Sequence, residues 1–212
     1  MSNDSTGSVR YVPKQGIHDA LFQRRSIRRY RVEPVPHGLI EAVLEAAIWA
    51  PSAHNRQPWR FAVIETQPQK EQLAQAMGNR LRRDLQSDGV SPELIEADAG
   101  RSYSRITNAP VVIVLCLSMV DMDVYADEKR NHNEYIMALQ SVAMAGQNIL
   151  LAAHDLGLGA CWMCAPLFCP DVVKVAVSLP DDWQPQALLT IGHPAETREK
   201  TRKPLETSVL WR

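Results

Sequence analysis

The sequence has no excess of charge of either sign, because 23 Lys and Arg residues stand against 24 Asp and Glu residues among 212. Proteins that coat nucleic acid by bulk electrostatics are usually basic, so this balance argues against that class. Only four cysteines occur, and the polar first eight residues lack the apolar core of a signal peptide. We therefore expect reduced thiols and a cytoplasmic protein.

A membrane-spanning segment is also not expected. Residues 136–156 form the only stretch of sufficient length, but that stretch contains six polar residues: Gln140, Ser141, Gln147, Asn148, His154 and Asp155. So many polar groups disfavour unassisted insertion into a bilayer. The composition predicts a soluble protein that binds neither membrane nor nucleic acid.

Motifs of the common catalytic classes are missing as well. No His-Glu-x-x-His, Gly-x-Ser-x-Gly or Gly-Lys-Ser/Thr sequence occurs, and no hydrolytic triad is evident. Gly157 and Gly159 follow a predicted helix, whose negative end would repel a pyrophosphate, so a dinucleotide-binding fingerprint is rejected. Cys161 and Cys164 form a single Cys-x-x-Cys pair, whereas this type of structural zinc site needs two. We expect no metal site.

Hydrophobic patterning predicts strands over residues 59–64, 111–117 and 188–192, and helices over 17–24, 39–48, 68–86, 92–106, 131–155 and 171–178. Residues 111–117 are continuously apolar, which predicts a strand that is covered on both faces. No repeat or linker divides the chain. We therefore expect one domain over residues 15–212, after a disordered lead of residues 1–14.

The predicted helix of residues 131–155 carries polar pairs at 133/134, 140/141, 147/148 and 154/155. This spacing of seven keeps the pairs on one narrow stripe, and the other faces of the helix are apolar. A helix that is apolar around most of its circumference must be buried on several sides. It is the central helix of the core, and part of it could also pack against a second subunit.

Three segments could bind a small anionic or heterocyclic ligand. Residues 24–31 contain five arginines, whose guanidinium groups suit phosphate oxygens, and Ser26 adds a hydroxyl donor. Residues 50–59 place Ser, Asn and Gln side chains between two prolines that restrict the backbone, which suits the edge of a heterocycle. Residues 200–204 contain three cations that could close a phosphate pocket. Each segment could alternatively be only a solvated turn, a helix-stopping loop or a polar tail.

Taken together, these segments resemble the FMN-dependent nitroreductase family. The matches follow the family order from about residue 17 to residue 204: Arg24-Arg25-Ser26-Ile27-Arg28, Ala50-Pro51-Ser52, Asn55, Gln57-Pro58-Trp59, Gly157-Leu158-Gly159 and Lys200-Thr201-Arg202. The resemblance implies an α+β fold with a central, mostly antiparallel sheet flanked by helices. It also implies an intertwined homodimer with FMN at the interface. The implied reaction passes a hydride from NADH or NADPH through flavin N5 to an electron-poor acceptor, such as a nitroaromatic or a quinone.

The resemblance also assigns roles to particular segments. Residues 24–28 and 200–202 would contact the phosphate, with one cation reaching towards the ring, and residues 51–57 would form a loop that the partner subunit lays beside the ring. Residues 163–165 would present backbone N–H groups to flavin N5; Cys164-Ala165 stands where some members have Glu-Gly, and Ala53 stands where many have a second Ser. The implied cofactor-binding set is Arg24, Arg25, Ser26, Arg28, Pro51, Ser52, Ala53, Asn55, Gln57, Met163, Cys164, Ala165, Lys200 and Arg202. No catalytic side chain is implied, because the chemistry belongs to the cofactor.

Alternative functions remain open. Residues 157–183 look especially like the reductase domain fused to the glutamyl ligase of deazaflavin (coenzyme F-420) synthesis, so the acceptor could be a deazaflavin precursor. A flavin-cleaving enzyme of cobalamin lower-ligand synthesis shares the Pro-Ser and Gln-Pro-Trp loop and ranks third. A non-catalytic nucleic-acid binder would use residues 24–31 but would give the loop no role. Trp162 and Phe168 could stack on a flat acceptor or simply pack in the core.

Overall fold

A four-stranded sheet with helices on both faces organises residues 16–212, which are the residues described by the computed structural model. The strands are β1 (Trp59–Ile64), β2 (Val111–Leu117), β3 (Gly159–Met163) and β4 (Gln184–Gly192). Their spatial order is β1-β2-β4-β3, and every neighbouring pair is antiparallel. The helices are α1 (Ile17–Gln23), α2 (His37–Ile48), α3 (Gln67–Ser87), α4 (Pro92–Thr107), α5 (Glu128–Asp155) and α6 (Pro170–Ala176). The expected α+β class with an antiparallel sheet is confirmed.

The strand β2 contributes to two hydrophobic cores, one on each face of the sheet. Val111, Ile113, Leu115 and Leu117 pack with residues of α2 and α5. The alternate residues of β2 pack with residues of α3, α4 and α6 on the opposite face. Because successive side chains of a strand point to opposite faces, a strand between two helical layers must be apolar at every position. All seven residues of β2 are buried, as their sequence predicts.

The helix α5 begins earlier than its periodicity predicts, because Asp127 caps it. The Asp127 carboxylate accepts a hydrogen bond of 2.9 Å from the backbone N–H of Arg130. In length and composition α5 could cross a membrane, but its buried side packs on the sheet through fully buried residues such as Ala138, Val142 and Ile149. It is a core helix.

The polar stripe of α5 lies at the boundary between its exposed and buried sides. Asn133, Gln140 and Gln147 are exposed, whereas Glu134 and Ser141 are buried. The side-chain amide of Asn148 donates a hydrogen bond of 3.0 Å to the carbonyl of Ala46 in α2. The exposed side also carries the apolar residues Ile136, Leu139 and Met144.

Two glycines connect α5 to β3. Gly157 has a φ of +78°, and the backbone N–H of the next residue, Leu158, bonds at 2.8 Å to the carbonyl of Ala153, which closes the end of the helix. Gly159 lies against Ile27, since a Cβ at that position would lie only 2.8 Å from Ile27 side-chain atoms. Both glycines of the Gly-Leu-Gly sequence thus have structural roles.

Three further predicted elements differ from those observed. β4 begins at Gln184 rather than residue 188, because a register shift opposite Leu115 and Cys116 accommodates Pro185 in the strand. α6 begins at Pro170 and ends at Ala176, two residues before Ser178, which has a φ of +52°. In α1 only Ala20 is buried, whereas Ile17 and Leu21 are exposed. The predicted lead of residues 1–14 lies outside the described residues, and the single-domain division stays a prediction.

The close approach of Trp162 to α5 generates a prediction for Gly146. A Cβ at this position would overlap the indole ring of Trp162 and lie 2.8 Å from the Leu115 side chain. We expect Gly146→Ala to lower the free energy of unfolding by about 1–3 kcal/mol through overpacking. The matched control is Gly38→Ala in α2, where a Cβ would meet nothing within 4 Å. Chemical denaturation measures both, and equal stability of the two variants would contradict the packing described here.

Candidate functional site

Residues 24–28 run beside the edge strand β3. The backbone N–H of Ile27 donates a hydrogen bond of 3.0 Å to the carbonyl of Ala160, and Ser26 forms a parallel bridge with the same residue. Because side chains alternate along an extended chain, Arg24, Ser26 and Arg28 lie on the side opposite to the buried Ile27. Arg24 and Arg28 stand at the two ends of this row, and because four residues of extended chain span about 13 Å, the two residues lie about that far apart.

A cluster of arginines forms at the Arg24 end of this row. Burial, and then the nearby charges of Arg202 and Arg25, lower the pKa of Arg24 below its ordinary value. The charge of Arg202, from the C-terminal segment, therefore acts on Arg24 near the start of the chain, and their joint contact with a phosphate stays a prediction. Within residues 16–212, Arg24, Arg25 and Arg202 form no ion pair with a carboxylate. The buried Nε of Arg25 also has no hydrogen-bond partner. This cluster therefore has positive charge that no carboxylate of residues 16–212 neutralises in an ion pair.

A second group of cations surrounds a cavity of about 430 Å³ at the Arg28 end. The cavity is lined by Arg28, Arg29, Gly100, Arg101, Ser104, Arg105, Asn108 and Arg198. Glu196 fixes the backbone here, because its carboxylate accepts a hydrogen bond of 2.8 Å from the N–H of Arg28 and also pairs with Arg198. The contribution of α4 was not predicted from the sequence, although Arg101 and Arg105 are one helical turn apart.

Cys161 of β3 experiences charges from both groups of cations. Burial raises the pKa of its thiol, while the charges of Arg28, Arg105, Arg198 and Arg24 act in the opposite direction. Arginines from residues 24–28, α4 and the C-terminal segment are therefore close enough to influence one buried thiol. The arrangement is a strip of positive charge along the edge strand, suited to an elongated ligand that carries negative charge at more than one point.

The loop of residues 51–58 has an unusual backbone. His54, Asn55 and Gln57 all have φ between +50° and +54°, a left-handed conformation that is uncommon for residues other than glycine. The hydroxyl of Ser52 accepts a hydrogen bond of 3.1 Å from the N–H of Gln57, and the hydroxyl of Ser141 accepts one of 3.3 Å from the N–H of Ala53. Backbone strain of this kind clusters at functional sites. The loop is shaped by its own hydrogen bonds and by α5.

The loop and the row of arginines lie at different corners of the sheet. The loop leads into β1 and the arginines flank β3, and these strands form the two opposite edges, about 14 Å apart. Trp59 pairs with Leu117 of β2, which pairs with Gln184 of β4. Ser26 pairs with Ala160 of β3, which pairs with Ile191 of β4. The distance from Gln184 to Ile191 along β4 separates the two segments by roughly 20 Å more. One chain therefore does not bring the two predicted halves of the site together.

The end of β3 carries the predicted residues Met163, Cys164 and Ala165. Cys164 is an exposed thiol, and the indole N–H of Trp162 donates a hydrogen bond of 3.1 Å to its sulfur. Trp162 is half-buried, packs with the core on the α5 side and lies against Gly146. Phe168, in contrast, is 77% exposed. In residues 16–212 no group of His, Cys, Asp or Glu side chains is arranged to hold a metal ion.

Comparison with known proteins identifies the family. The sequence model of the nitroreductase family matches residues 21–193. The chain is 33% identical to an NADH dehydrogenase of Thermus thermophilus, over 95% of this chain and 98% of that protein. It is 31% identical to a putative NADH dehydrogenase/NAD(P)H nitroreductase of Methanothermobacter thermautotrophicus, over 87% of this chain and 81% of that protein. The chain belongs to the nitroreductase family.

Solved structures agree with this assignment. A putative nitroreductase from Desulfovibrio desulfuricans, solved in complex with FMN, has a TM-score of 0.72 and 29% identity over 94% of this chain and 98% of that one. A BluB-like flavoprotein from Clostridium difficile has a TM-score of 0.76 and 23% identity over 93% of this chain and 99% of that one, which shows a shared fold. The resemblance to the deazaflavin subgroup stays a prediction.

The burial of the four cysteines generates a prediction about thiol reactivity. Burial raises the pKa of Cys116 to about 12 and raises the pKa values of Cys161 and Cys169, so these three thiols react slowly. Cys164 is exposed. We expect the cofactor-free protein to show one fast thiol in a colorimetric disulfide-exchange assay. Cys164→Ser should abolish the fast phase and Cys169→Ser should retain it; the reverse pattern would show that the exposed thiol is misassigned.

Proposed function

We propose that this protein is a cytoplasmic FMN-dependent oxidoreductase that takes a hydride from NADH or NADPH and reduces an electron-poor acceptor, such as a nitroaromatic or a quinone. The observation that carries the proposal is the strip of positive charge along β3, with Arg24 and Arg202 at one end and Arg28 beside a cation-lined cavity at the other. FMN carries a phosphate at one end and an electron-poor ring at the other. The phosphate suits the arginines at the Arg24 end of the strip, and the ring suits the Arg28 end.

The residues present fit the phosphate of FMN. Arg24 and Arg202 have no acidic partner in residues 16–212. A phosphate would supply acceptor oxygens to both, in charge-assisted hydrogen bonds that are stronger than neutral ones. We assign this end of the site to Arg24, Arg25, Ser26, Lys200 and Arg202.

The ring would lie along the remainder of β3. Arg28, together with Arg105 and Arg198, would stabilise negative charge at the pyrimidine edge of the ring through fixed positive charge. Backbone groups of Met163, Cys164 and Ala165 would face flavin N5. When bound, FMN supplies hydride transfer at N5 between the nicotinamide and the acceptor. The protein contributes binding, orientation and electrostatics, and no side-chain nucleophile is required.

The loop that would cover the ring comes from a second subunit in this proposal. The loop is too far from the arginine row of its own chain, because the two segments are separated both across the sheet and along its strands. The loop residues concerned are Pro51, Ser52, Ala53, Asn55 and Gln57. An equivalent loop of a second copy can reach the row instead. The apolar exposed side of α5, with Ile136, Leu139 and Met144 each more than one third exposed, offers a surface for such a homodimer. The protein is proposed to bind FMN at that interface.

The second candidate acceptor is a deazaflavin precursor. Phe168 is exposed beside Cys164 and Ala165, at the end of β3 where the acceptor face of the ring would lie. An exposed aromatic ring can stack on a flat heterocycle. Titration of the FMN-loaded protein with a deazaflavin precursor tests this candidate: micromolar binding that Phe168→Ala weakens would support it. No binding, together with rapid NADPH-dependent reduction of quinones and nitroaromatics, would remove it.

The proposed function has a direct spectroscopic test. The purified protein, or the apoprotein after addition of FMN, should show the flavin absorbance bands, and NADH or NADPH should bleach them without oxygen. Addition of a quinone or a nitroaromatic should restore the bands. A colourless protein that ignores added FMN would overturn the proposal. Stopped-flow reduction with each nicotinamide identifies the preferred donor.

The phosphate assignment predicts the behaviour of two arginine variants. Arg24→Ala or Arg202→Ala removes a charge-assisted hydrogen bond of about 1.5–3 kcal/mol, so the dissociation constant of FMN should rise roughly 10- to 150-fold. Arg83→Ala on the exposed face of α3 is the matched control and should bind FMN like the parent. Flavin fluorescence quenching measures all three. Unchanged affinity in both site variants would show that the phosphate is placed wrongly.

The dimer assignment predicts the effect of a charge on α5. A lysine at position 139 remains solvated in a monomer but would be desolvated in the proposed interface, so Leu139→Lys should favour monomers and lower FMN affinity at least about tenfold. Leu94→Lys on α4, at a residue that is also exposed, is the control and should change neither property. Sedimentation velocity reports the mass. A stable parent monomer that retains FMN would contradict the shared site.

A further inference from the structure

The cavity beside Arg28 holds more positive charge than a flavin ring requires. Five arginines line a volume of about 430 Å³, which is in the range of small-ligand pockets, roughly 300–1,000 Å³. The proposed function uses Arg28, Arg105 and Arg198 at the pyrimidine edge of the ring. Arg29 and Arg101 line the same cavity and have no role there. Their presence indicates a second anionic ligand.

One face of α4 forms a polar wall of this cavity. Its lining residues are Gly100, Arg101, Ser104, Arg105 and Asn108, the last of which follows the helix. Residues four apart lie on the same face of a helix, so this spacing directs the whole row at one volume. Guanidinium, hydroxyl and amide groups are all hydrogen-bond donors that suit the oxygens of a phosphate.

The opposite wall of the cavity is also cationic. Arg28 and Arg29 come from the extended segment beside β3, and Arg198 comes from the C-terminal segment. A helix face that merely contacts solvent would be polar as well, but it would not meet a second row of cations. Three separate segments of the chain therefore bring arginines to one volume, where their positive charges attract an anion.

Carboxylates do not neutralise the cavity. Glu196 pairs with Arg198, and Asp98 pairs with Arg101, each at a single guanidinium nitrogen. The other three arginines of the cavity form no ion pair with a carboxylate of residues 16–212. The side chains of Arg29 and Arg101 are exposed. An anion therefore has access from solvent and finds free donors.

The hydride donor of the proposed reaction is an anion that would bind next to this cavity. Its nicotinamide has to lie against the flavin ring, so its phosphates would lie beyond the Arg28 end of the ring. NADPH carries a 2′-phosphate that NADH lacks. In dinucleotide-binding folds arginine accommodates this phosphate, whereas a carboxylate that binds the free 2′-hydroxyl favours NADH. Asp98 and Glu196 are each paired with an arginine, so neither is free for that second role.

We propose that this cavity binds the 2′-phosphate of NADPH and makes NADPH the preferred hydride donor. This inference rests on the proposed function and specifies the donor that the function leaves open. Arg29 and Arg101 would hold the phosphate, and the hydroxyl of Ser104 would donate a further hydrogen bond. These side chains bind and orient the donor. No bond to the 2′-phosphate forms or breaks.

The kinetic test compares reduction of the FMN-loaded protein by NADPH and by NADH in stopped flow without oxygen. The second-order rate constant of the parent should be at least about tenfold higher with NADPH, because NADPH gains charge-assisted hydrogen bonds. Arg29→Ala and Arg101→Ala should each lower the NADPH constant about five- to tenfold and leave the NADH constant unchanged. Arg83→Ala on the exposed face of α3 is the control and should change neither.

A binding measurement gives a second readout that does not depend on catalysis. Calorimetric titration of the FMN-loaded protein compares adenosine 2′,5′-bisphosphate with adenosine 5′-monophosphate, two ligands that differ only in the 2′-phosphate. Bound FMN occupies the Arg24 end of the strip, so that end does not capture the probes. The bisphosphate should bind at least about tenfold more tightly, and Arg29→Ala should reduce this difference. Added salt should weaken the bisphosphate more than the monophosphate.

Three outcomes would overturn the inference and leave the proposed function intact. They are flavin reduction by NADH at least as fast as by NADPH, equal affinity for the two adenosine phosphates, and losses in Arg29→Ala and Arg101→Ala that are the same for both donors. Displacement of the bisphosphate by an equal concentration of inorganic phosphate would also overturn it, since the cavity would then be a general anion site. Failure of both nicotinamides to reduce the flavin would instead overturn the proposed function. Circular dichroism checks the fold of each variant.

Discussion

The pairing of residues 26 and 27 with Ala160 on the edge strand is the interaction on which the candidate site depends. It turns a run of arginines, which would otherwise be a solvated basic turn, into a row with fixed spacing along β3. It requires a glycine at position 159, because any side chain there would collide with Ile27. It also positions the backbone of Arg28 to meet Glu196, and Glu196 holds Arg198 beside the cavity. Local backbone geometry thus decides where charge accumulates.

The helix α5 connects the two halves of the proposed site. Its Ser141 accepts a hydrogen bond from the loop of residues 51–58, and its last turn carries His154 beside the arginine cluster. Between these points Gly146 lets Trp162 of β3 pack closely against the helix. A helix that is buried against the sheet moves little, so both functional segments rest on one rigid element, which favours a preorganised site.

Sequence patterns predicted the elements that are decided by local rules. The uninterrupted apolar run of residues 111–117 indicated burial on both faces, and the strand of residues 59–64 has the predicted bounds. Patterns failed where distant partners decide the outcome. Residues 184–186, Gln-Pro-Gln, join β4 because β2 lies beside them, and Ser141 and Asn148 of α5 face inwards because the loop and α2 provide partners. Arg101 and Arg105 belong to the cavity only because α4 packs at that edge. The flavin-binding motifs were found by resemblance, since no local rule relates residue 24 to residue 202.

The separation of the loop from the arginine row across the sheet has a genetic consequence in the proposed dimer. Each of its two sites would draw the arginine row from one chain and the loop from the other. Two alleles, one defective only in the row and the other only in the loop, would each yield inactive homodimers. A mixed dimer of the two products would contain one site with both defects and one site with none. Such alleles would complement each other within a single cell, up to half of the normal activity per mixed dimer, whereas two alleles defective in the same segment would not.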